Sequence, residues 1–566
     1  MKKLRQLLFS IAILLNIISF KSFAQAQEWE WAKSAGGQGN DYSYGTTTDN
    51  DGNLYITGRM TSPSATFGTF VLNGKGAEDV FIAKYDKSGN VIWARSAGGD
   101  SLDESYSIVY DKIGNIYITG IFKSPSITFG NITLLNEWPG KENIFVAKYD
   151  INGNVIWAKS AGSNGVDIAF NAAVDNVGNI YITGYFKSQT ITFGNFILKR
   201  DTTSADNHNM FLVKYDINGN VQWAHSADES SGSVAQNVTT DTFGNIYVTG
   251  YFKNTSIVFD TITLQSRGKN DLFIVKYDSN GQVKWAKSAG GNSKETSMIF
   301  SRGITADKNG NVYLTGEFYG TSISFGDSTF SSENNTNYLV NYFIVKYDSS
   351  GGVKWANTTT GDMNVSGYNI HMDITGHPWV VGYYSGQSIT LGSTKLINTK
   401  GIFYDIFIAK YDSIGNILLA KSVGGTNSDF GFGITSDSSG SIFITGCFFS
   451  SDVDFGTKTL TNSKTDLADI FIAKMNFPVT GIEKEPKSGT QLNIFPNPTA
   501  SQFHITNLEP GNWTITIYTL DGQSVFKKEL TEANAMIDLS GKAKGAYVYR
   551  LLKDGEVFKS GKLVVE

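Results

Sequence analysis

Cysteine and histidine are scarce in this sequence. Its one cysteine, Cys447, cannot form an internal disulfide bond, and its five histidines stand at unrelated positions. No H-E-x-x-H motif, no Cys/His spacing of a zinc site and no G-x-S-x-G turn occurs. We therefore expect no bound metal and no cofactor. We expect Cys447 to be a packed small apolar side chain rather than a nucleophile.

Charge is also scarce, and the two signs nearly balance. Charged residues make up 17% of the chain, and its net charge is -5. A nucleic-acid-binding protein would carry a basic patch or stripe, so no nucleic-acid partner is expected. Low charge with many glycines, tyrosines and phenylalanines is typical of strands and tight turns rather than of helices.

Long apolar runs are missing except near the start, where an apolar run (residues 7–20) follows a basic segment. This pattern predicts a secretory signal peptide over residues 1–26, cleaved after Ala26 or, as the alternative, after Ala24. A membrane helix needs roughly 20 apolar residues, and no stretch reaches that length, so no transmembrane segment is expected. The mature chain is therefore predicted to be exported.

Three phrases recur in a fixed order along most of the chain. A tryptophan strand such as WAKSAGG, a GNIYITG phrase and a FIAKYD phrase each occur seven times, with Leu419 replacing the tryptophan once. The tryptophan position follows the FIAKYD phenylalanine by 12 residues in all six cases, whereas 23 to 27 residues separate the GNIYITG glycine from the next phenylalanine. Some connections are thus short and fixed, and the length changes fall in the others.

Each repeat predicts four strands, which in the second repeat cover residues 106–111, 115–122, 144–150 and 154–160. A D-x-x-G-N turn joins the first strand to the second and the third to the fourth. Its aspartate can accept backbone N–H bonds, and its glycine can adopt a positive φ. Four antiparallel strands repeated about every 64 residues predict a β-propeller with seven blades.

The first and last strands of the repeat region lack partners along the chain. The region begins with a fourth strand (residues 29–35) and ends with a third strand (residues 471–475). Pairing of the two would complete the last blade and close the ring, whereas a linear array, the rival arrangement, would leave open edges. The predicted fold class is therefore all-β, with a seven-bladed propeller over residues 27–477 closed by its N-terminal strand.

The repeat resembles the seven-bladed propeller repeat family known as SBBP. The matching residues are GGQGNDYSYGTTTDNDGNLYITG (residues 36–58) and its six relatives, over roughly residues 28–477. The resemblance implies the propeller fold. It implies no particular activity, because propellers host many unrelated functions.

A polar linker over residues 478–491 leads to a predicted small β-sandwich over residues 492–566, where strands alternate with DG turns. The motifs NIFPNP, IYTLDGQ, GAYVYRL and GKLVV resemble the type A C-terminal sorting domain of the type IX secretion system. This resemblance implies a Bacteroidetes-type Gram-negative source and the secretion machinery as a partner. It also implies a secreted or outer-membrane-surface location.

Two repeated polar positions each have a structural and a functional interpretation. We expect the FIAKYD lysines to pack their stems and hydrogen-bond their amines between blades, with an anion-binding ring as the alternative. Asp49 is expected to cap its turn, with a calcium loop as the alternative, although no bidentate Glu follows at the twelfth position. The lysines are Lys84, Lys148, Lys214, Lys276, Lys346, Lys410 and Lys474.

The candidate binding residues lie between each fourth strand and the next first strand. An acidic residue recurs there in five repeats, with Ser233 and Val365 in the other two. The five are Asp41, Asp103, Asp167, Glu295 and Asp429. In a propeller these connections share one face with the other variable connections. The carboxylates are predicted either to cap their own loops or to form an acidic rim that binds a cation or a polyhydroxy ligand.

These features predict a secreted or surface-anchored, monomeric propeller that binds a glycan or a surface protein without catalysis, since loops on a rigid scaffold commonly carry binding sites. A propeller-scaffold glycan hydrolase or lyase is the first alternative, and it would need paired carboxylates near the channel mouth. A purely structural surface protein is the second.

Overall fold

The computed structural model describes residues 28–200, 208–227, 232–291, 298–331, 339–361, 363–398, 400–462, 464, 466–476, 493–495, 499, 501–506, 512–519, 524–532, 534–553 and 556–565. These residues form β-strands and turns, and no helix occurs among them. The chain divides into two compact units between Phe477 and Pro478. The predicted signal peptide (residues 1–26) and linker (residues 478–491) lie outside the described residues.

The first unit is a series of antiparallel sheets, numbered 1 to 7 along the chain, whose strands are rich in Val, Ile, Tyr and Phe. The first strands are β2 (Asp41–Thr48), β8 (Asp103–Tyr110), β14 (Asp167–Val174), β20 (Ser233–Thr240), β26 (Met298–Ala306), β33 (Val365–Met372) and β39 (Asp429–Ser436). The second strands are β3 (Leu54–Met60), β9 (Asn115–Phe122), β15 (Ile180–Phe186), β21 (Ile246–Phe252), β27 (Val312–Tyr319), β34 (Pro378–Tyr384) and β40 (Ile442–Phe448).

The third and fourth strands complete each sheet. The third strands are β6 (Asp79–Tyr85), β12 (Asn143–Asp150), β18 (Asn209–Tyr215), β24 (Asp271–Tyr277), β30 (Val340–Tyr347), β37 (Asp405–Tyr411) and β43 (Asp469–Met475). The fourth strands are β7 (Val91–Ala97), β13 (Val155–Ala161), β19 (Val221–His225), β25 (Val283–Gly290), β31 (Val353–Thr358) and β38 (Ile417–Val423), and in sheet 7 the N-terminal β1 (Trp29–Gly37).

The first strands of the sheets contact one another in a closed sequence. β2 contacts β8, and the contacts continue through β14, β20, β26, β33 and β39 back to β2. The first and last sheets are joined by polar contacts as well, because the hydroxyl of Thr48 donates to the carbonyl of Ser436 at 2.8 Å. Each of the seven first strands therefore contacts two other first strands.

The N-terminal strand β1 pairs antiparallel with β43, the third strand of the last sheet. Ala32 lies opposite Ala473, and Ala35 lies opposite Ile470. The indole of Trp29 makes an edge contact with Phe455, at 5.1 Å between ring centroids. Sheet 7 thus receives its fourth strand from the other end of the repeat region.

The connection between second and third strands contains a short hairpin that the repeat pattern does not predict. Its two strands have four residues each, too short to give a clear alternation. The hairpins are β4 (Ser64–Phe67) with β5 (Phe70–Asn73), β10 (Ser126–Phe129) with β11 (Ile132–Leu135), β16 (Thr190–Phe193) with β17 (Phe196–Lys199), β22 (Ser256–Phe259) with β23 (Ile262–Gln265), β28 (Ser322–Phe325) with β29 (Ser328–Ser331), β35 (Ser388–Leu391) with β36 (Thr394–Ile397), and β41 (Asp452–Phe455) with β42 (Lys458–Thr461). Several pair with the fourth strand of the preceding sheet, as β4 does with β1 and β28 with β25, and the two-residue strand β32 (Thr360–Gly361) pairs with β35.

The D-x-x-G-N turns have the predicted chemistry. In the first turn the Asp49 carboxylate accepts hydrogen bonds from the backbone N–H groups of Asp51 and Asn53. Gly52 adopts a φ of +76°, which favours glycine. The remaining Asp49 oxygen accepts from the Tyr55 hydroxyl at 2.9 Å and lies 3.3 Å from the Lys84 ammonium. The turn-cap prediction for Asp49 is confirmed.

The fourth-strand tryptophan packs against the next sheet, as sheets 1 and 2 illustrate. The Trp93 indole Nε1 donates to the carbonyl of Ile151 at 3.1 Å, and Nζ of Lys84 donates to the same oxygen at 3.3 Å. Gly153, in the same turn, lies on the indole face, since a Cβ there would come within 2.9 Å of the ring. We call this arrangement of tryptophan, lysine and turn glycine the indole–turn contact.

The indole–turn contact recurs from sheet to sheet. The turn carbonyls that accept from both an indole and a lysine are those of Lys87, Ile151, Ile217, Ser349 and Ser413. Between sheets 3 and 4 the Lys214 amine donates to the Ser279 carbonyl. Six of the seven lysines therefore bridge neighbouring sheets, which confirms their predicted structural role, and the seventh, Lys410, pairs with Asp373 at 3.0 Å.

The fourth strand of sheet 6 has leucine at the position where the other sheets have tryptophan, and its neighbour accounts for the difference. Its fourth strand carries Leu419, the neighbouring sheet 7 takes its fourth strand from β1, and the sequence has no D-x-x-G-N motif after the third strand of sheet 7. An indole at position 419 would have no turn glycine to pack against. Trp31 of β1 makes the indole–turn contact between sheets 7 and 1, because its indole donates to the Lys87 carbonyl at 2.9 Å.

The second unit consists of two small antiparallel sheets. One contains β44 (Asn493–Phe495), β45 (Gln502–Thr506) and β48 (Ala535–Asp538). The other contains β46 (Trp513–Thr519), β47 (Ser524–Leu530), β49 (Gly545–Lys553) and β50 (Glu556–Val565). Phe503 and Ile537 of the first sheet and Trp513 and Leu551 of the second belong to one buried apolar cluster, as in a sandwich.

We predict that Trp157→Leu destabilises the first unit by roughly 2 kcal/mol, because removal of the buried indole leaves a cavity beside Gly219. The substitution gives sheet 2 the residue that sheet 6 has at this position. Ile156→Ala, at an exposed position of the same strand, should change the unfolding free energy by less than about 0.5 kcal/mol. Urea unfolding followed by tryptophan fluorescence measures both. Equal effects of the two substitutions would contradict the indole–turn account.

Candidate functional site

The predicted acidic positions lie at the starts of first strands and are buried. Asp41 has no exposed surface, and one of its oxygens accepts from the Gly37 N–H at 2.8 Å and from the Ser62 hydroxyl at 2.6 Å. Its other oxygen accepts from the N–H groups of Thr61 and Ser62. The carboxylate therefore holds two connections together, the one before the first strand and the one after the second.

Asp103, Asp167 and Asp429 repeat this arrangement, each with a serine hydroxyl at 2.6 to 2.7 Å and without exposed surface. Glu295 lies outside the described residues. This geometry favours the loop-capping interpretation over direct contact with a ligand, because the four carboxylates are enclosed. Their predicted role in ligand binding stays a prediction.

A second acidic position faces Asp429 across the boundary between sheets 6 and 7. Asp405 begins the third strand of sheet 6, and burial together with the charge of Asp429 raises the pKa of Asp405 to about 7. Burial also raises the pKa of Asp429 to about 7. Between sheets 2 and 3 the equivalent of Asp405 is Asn143, beside Asp167, so that boundary has one carboxylate instead of two.

A β-bulge interrupts every first strand at the same position. The pairing register with the second strand shifts there in all seven sheets, for example between Ser43 and Gly45. Bulges commonly re-aim a side chain next to a functional site. The residues at the bulge, which we call the bulge ring, are Tyr44, Tyr106, Phe170, Gln236, Arg302, Tyr368 and Phe432.

The five aromatic side chains of the bulge ring contact each other in sequence. Tyr44 lies 5.8 Å from Tyr106 and 5.5 Å from Phe432, between ring centroids. Tyr106 continues to Phe170 at 5.9 Å, and Phe432 continues to Tyr368 at 4.7 Å. Five aromatic rings from sheets 6, 7, 1, 2 and 3 thus form a continuous, partly exposed wall.

Charged groups flank the aromatic wall on its sheet 1 and 2 side. Nη1 of Arg59 donates to Glu78 at 2.7 Å and to Glu104 at 2.9 Å, and the guanidinium lies 4.6 Å from the Tyr42 ring. Burial and the hydrogen bond with Glu78 raise the pKa of Glu104 to about 7. One arginine therefore bridges two carboxylates.

The opposite sector of the bulge ring is polar. Arg302 pairs with Glu317 at 2.6 Å and lies 5.8 Å from the Tyr368 ring. The neighbouring position on sheet 4 is Gln236, whose buried Oε1 accepts no hydrogen bond from the described residues. A buried acceptor without a donor costs about 1 to 3 kcal/mol, so a donor supplied by a ligand would be favoured there.

The bulge ring was not among the predicted site residues, although the sequence contains a signal for it. The residue three positions after Asp41, Asp103, Asp167, Val365 and Asp429 is aromatic in each case. The strand pattern alone does not show a bulge, because one extra residue per strand leaves the β-rich composition unchanged.

Cys447, buried beside Phe432, is a packed apolar side chain as predicted, and burial raises the pKa of its thiol.

Two segments of the chain match known protein families. Residues 493–566 match the secretion system C-terminal sorting domain, and residues 290–317 match the beta-propeller repeat named SBBP. The second match spans the last residue of β25, all of β26 and most of β27. Residues 290–317 are therefore a beta-propeller repeat of the SBBP type, and residues 493–566 are a type IX sorting domain.

Curated relatives cover the chain at low identity. The uncharacterized WD repeat-containing protein L264 of Acanthamoeba polyphaga mimivirus is 23% identical over 504 residues, 75% of this chain and 36% of that protein. The regulatory protein FlaEY of Caulobacter vibrioides is 23% identical over 358 residues, 60% of this chain. The chain spans 36% of the length of each of these two relatives.

Among solved structures, the Synechocystis apocarotenoid oxygenase is similar over 78% of this chain and 95% of its own, at 10% identity and a TM-score of 0.34. A TM-score this low carries no functional argument.

The sorting domain marks proteins that reach the cell surface through the type IX machinery, so this protein is secreted and located at the cell surface. Within the described residues, a search for helices able to span a membrane found none.

We predict that Asp405→Asn changes how stability depends on pH. An aspartate has a pKa of about 3.9 in an unfolded chain, and the folded value is raised, so its stabilising contribution is present below pH 4 and is lost as pH rises through 7. The wild type should therefore lose on the order of 1 kcal/mol more than Asp405→Asn between pH 5 and pH 8.

The matched control is Asn143→Asp, which creates a carboxylate pair beside Asp167. Asn143→Asp should add a similar loss of unfolding free energy between pH 5 and pH 8. Thermal unfolding across this range checks both variants. Parallel pH profiles for the wild type and Asp405→Asn would contradict the buried-pair account.

Proposed function

We propose that the first unit is a closed seven-bladed propeller and that sheets 1 to 7 are its blades. The closed sequence of first-strand contacts supports this proposal, as does the pairing of β1 with β43. The indole–turn contact of Trp31 with the turn of sheet 1 supports closure from a second direction. In this proposal residues 27–477 form the propeller, residues 478–491 the linker and residues 492–566 the sorting domain, which engages the secretion machinery.

The propeller binds an extracellular ligand at the bulge ring, on the side of the axis where the variable connections begin. The observation that carries this proposal is the bulge itself, which recurs in all seven first strands and holds five aromatic residues, one glutamine and one arginine at the same register position. Binding sites combine aromatic surface with a few convergent polar groups, and the ring has both. Asp41, Asp103, Asp167 and Asp429 support the site by holding its connections, whereas the equivalent register position in sheet 5 is the apolar Ile299.

The site acts without turnover in this proposal. The described residues hold no cluster of three or more His, Cys, Asp and Glu suited to a metal. A glycan hydrolase or lyase remains the second candidate, because Glu78 and Glu104 form a carboxylate pair beside the ring and the pKa of Glu104 is raised as for a general acid. Both carboxylates bind the same guanidinium nitrogen of Arg59, which favours a structural role for the pair.

A purely structural surface protein is the third candidate. In the binding proposal, by contrast, the ligand is a glycan or a surface protein. A structural protein would not need a polar sector with an unpaired buried acceptor. We expect the propeller to act as a monomer, since closure leaves no unpaired edge at the end of the series.

We predict that Tyr106→Ala weakens ligand binding at least tenfold, because it interrupts the aromatic wall between Tyr44 and Phe170. Fibronectin, collagen, mucin and a panel of defined glycans are the probes, measured on the mature protein by biolayer interferometry. Phe243→Ala is the control, since this exposed side chain lies in the turn between first and second strands of sheet 4, at the other end of the sheet.

Equal binding by wild type and Tyr106→Ala, with both variants folded by circular dichroism, would contradict a binding site at the ring. Release of product from any glycan, abolished by Glu104→Gln, would replace the binding role with the enzymatic one.

A further inference from the structure

We infer that the bulge ring recognises an uncharged saccharide, and this inference rests on the proposed function of the ring as a binding site. Three features of the ring point to this class of ligand: the aromatic wall, the Gln236 and Arg302 sector, and the balance of charge. Each one restricts the ligand in a different way.

The aromatic wall fits a flat, partly apolar surface. Tyr44, Tyr106 and Phe432 are tilted against each other at 45° to 50° rather than stacked, so their faces do not cover one another completely. One face of a pyranose ring presents aliphatic C–H groups, which pack on aromatic faces while the hydroxyls point outward. A long apolar ligand would leave the polar sector unpaired, at a cost in free energy.

The Gln236 and Arg302 sector fits a hydroxyl pair. Oε1 of Gln236 is a buried acceptor that needs a donor, and the Arg302 guanidinium on the next first strand is a fixed donor held by Glu317. A hydroxyl group both donates and accepts, so two neighbouring hydroxyls can satisfy both side chains. A carboxylate or phosphate could accept from Arg302 but could donate nothing to Gln236.

The charge around the ring argues against an ionic ligand. Arg59 is matched by Glu78 and Glu104, and Arg302 is matched by Glu317. Each arginine already contacts a carboxylate, so an anionic sugar would have to compete with these carboxylates for the guanidinium groups, and a cation would have to compete with the guanidinium groups for the carboxylates. An uncharged polyhydroxy ligand meets neither penalty.

The test is isothermal titration of the mature protein with neutral hexasaccharides of glucose, mannose, xylose and N-acetylglucosamine, and with acidic oligogalacturonate and heparin fragments. We expect a neutral oligosaccharide to bind and the acidic ones not to bind. Gln236→Leu should weaken that binding about tenfold, because it removes the acceptor while keeping the side-chain size. Gln222→Leu, at an exposed position in β19, is the matched control and should have no effect.

The outcomes separate the inference from the function on which it rests. Binding of only acidic sugars or only proteins, still lost in Tyr106→Ala, would overturn the neutral-saccharide inference and leave the ring as the binding site. Neutral-saccharide binding that is unchanged in both Gln236→Leu and Tyr106→Ala would overturn the ring itself. Absence of binding to every oligosaccharide in the panel would overturn the inference.

Discussion

The contact between a fourth-strand indole and the turn of the next sheet is the interaction on which the first unit depends. In six of the seven repeats it packs a tryptophan against a glycine that no other residue could replace without meeting the indole ring, as at Gly153 and Trp93. The same turn carbonyl also receives a lysine, so burial of the aromatic ring and satisfaction of the ammonium occur together. Because the contact joins different sheets, the sheets are coupled in series rather than stable one by one.

The indole–turn contact and the bulge ring lie at opposite ends of each sheet and have different roles. The turn end of the sheets is nearly identical from repeat to repeat, which keeps the first strands in register around the axis. The bulge end is where Gln236 and Arg302 replace aromatic residues, and so it is where the sevenfold pattern is broken. A binding site needs such asymmetry, and a rigid ring of strands holds the differing side chains in fixed positions.

Much of the fold could be predicted from the sequence, because strand composition and turn chemistry repeat seven times with constant spacing. The Asp49 turn and the lysine contacts follow directly from that repetition. The hairpins such as β4 and β5 are missed because their strands are short, and the bulge at Tyr44 is missed because a register shift leaves no mark in composition. The acidic residue Asp41 is visible in the sequence, whereas its burial and its four hydrogen bonds depend on connections that only the folded chain brings together.

Closure of the ring through the N-terminal strand is the central claim, because the positions of the bulge residues depend on it. Hydrogen–deuterium exchange of the mature protein, read at residues 30–36, tests it most directly. Closure predicts that the alternate amides of this segment that bond to β43 exchange as slowly as the amides of β43 itself. Exchange within seconds at residues 30–36, while β40 and β43 stay protected, would contradict closure and the arrangement of the site built on it.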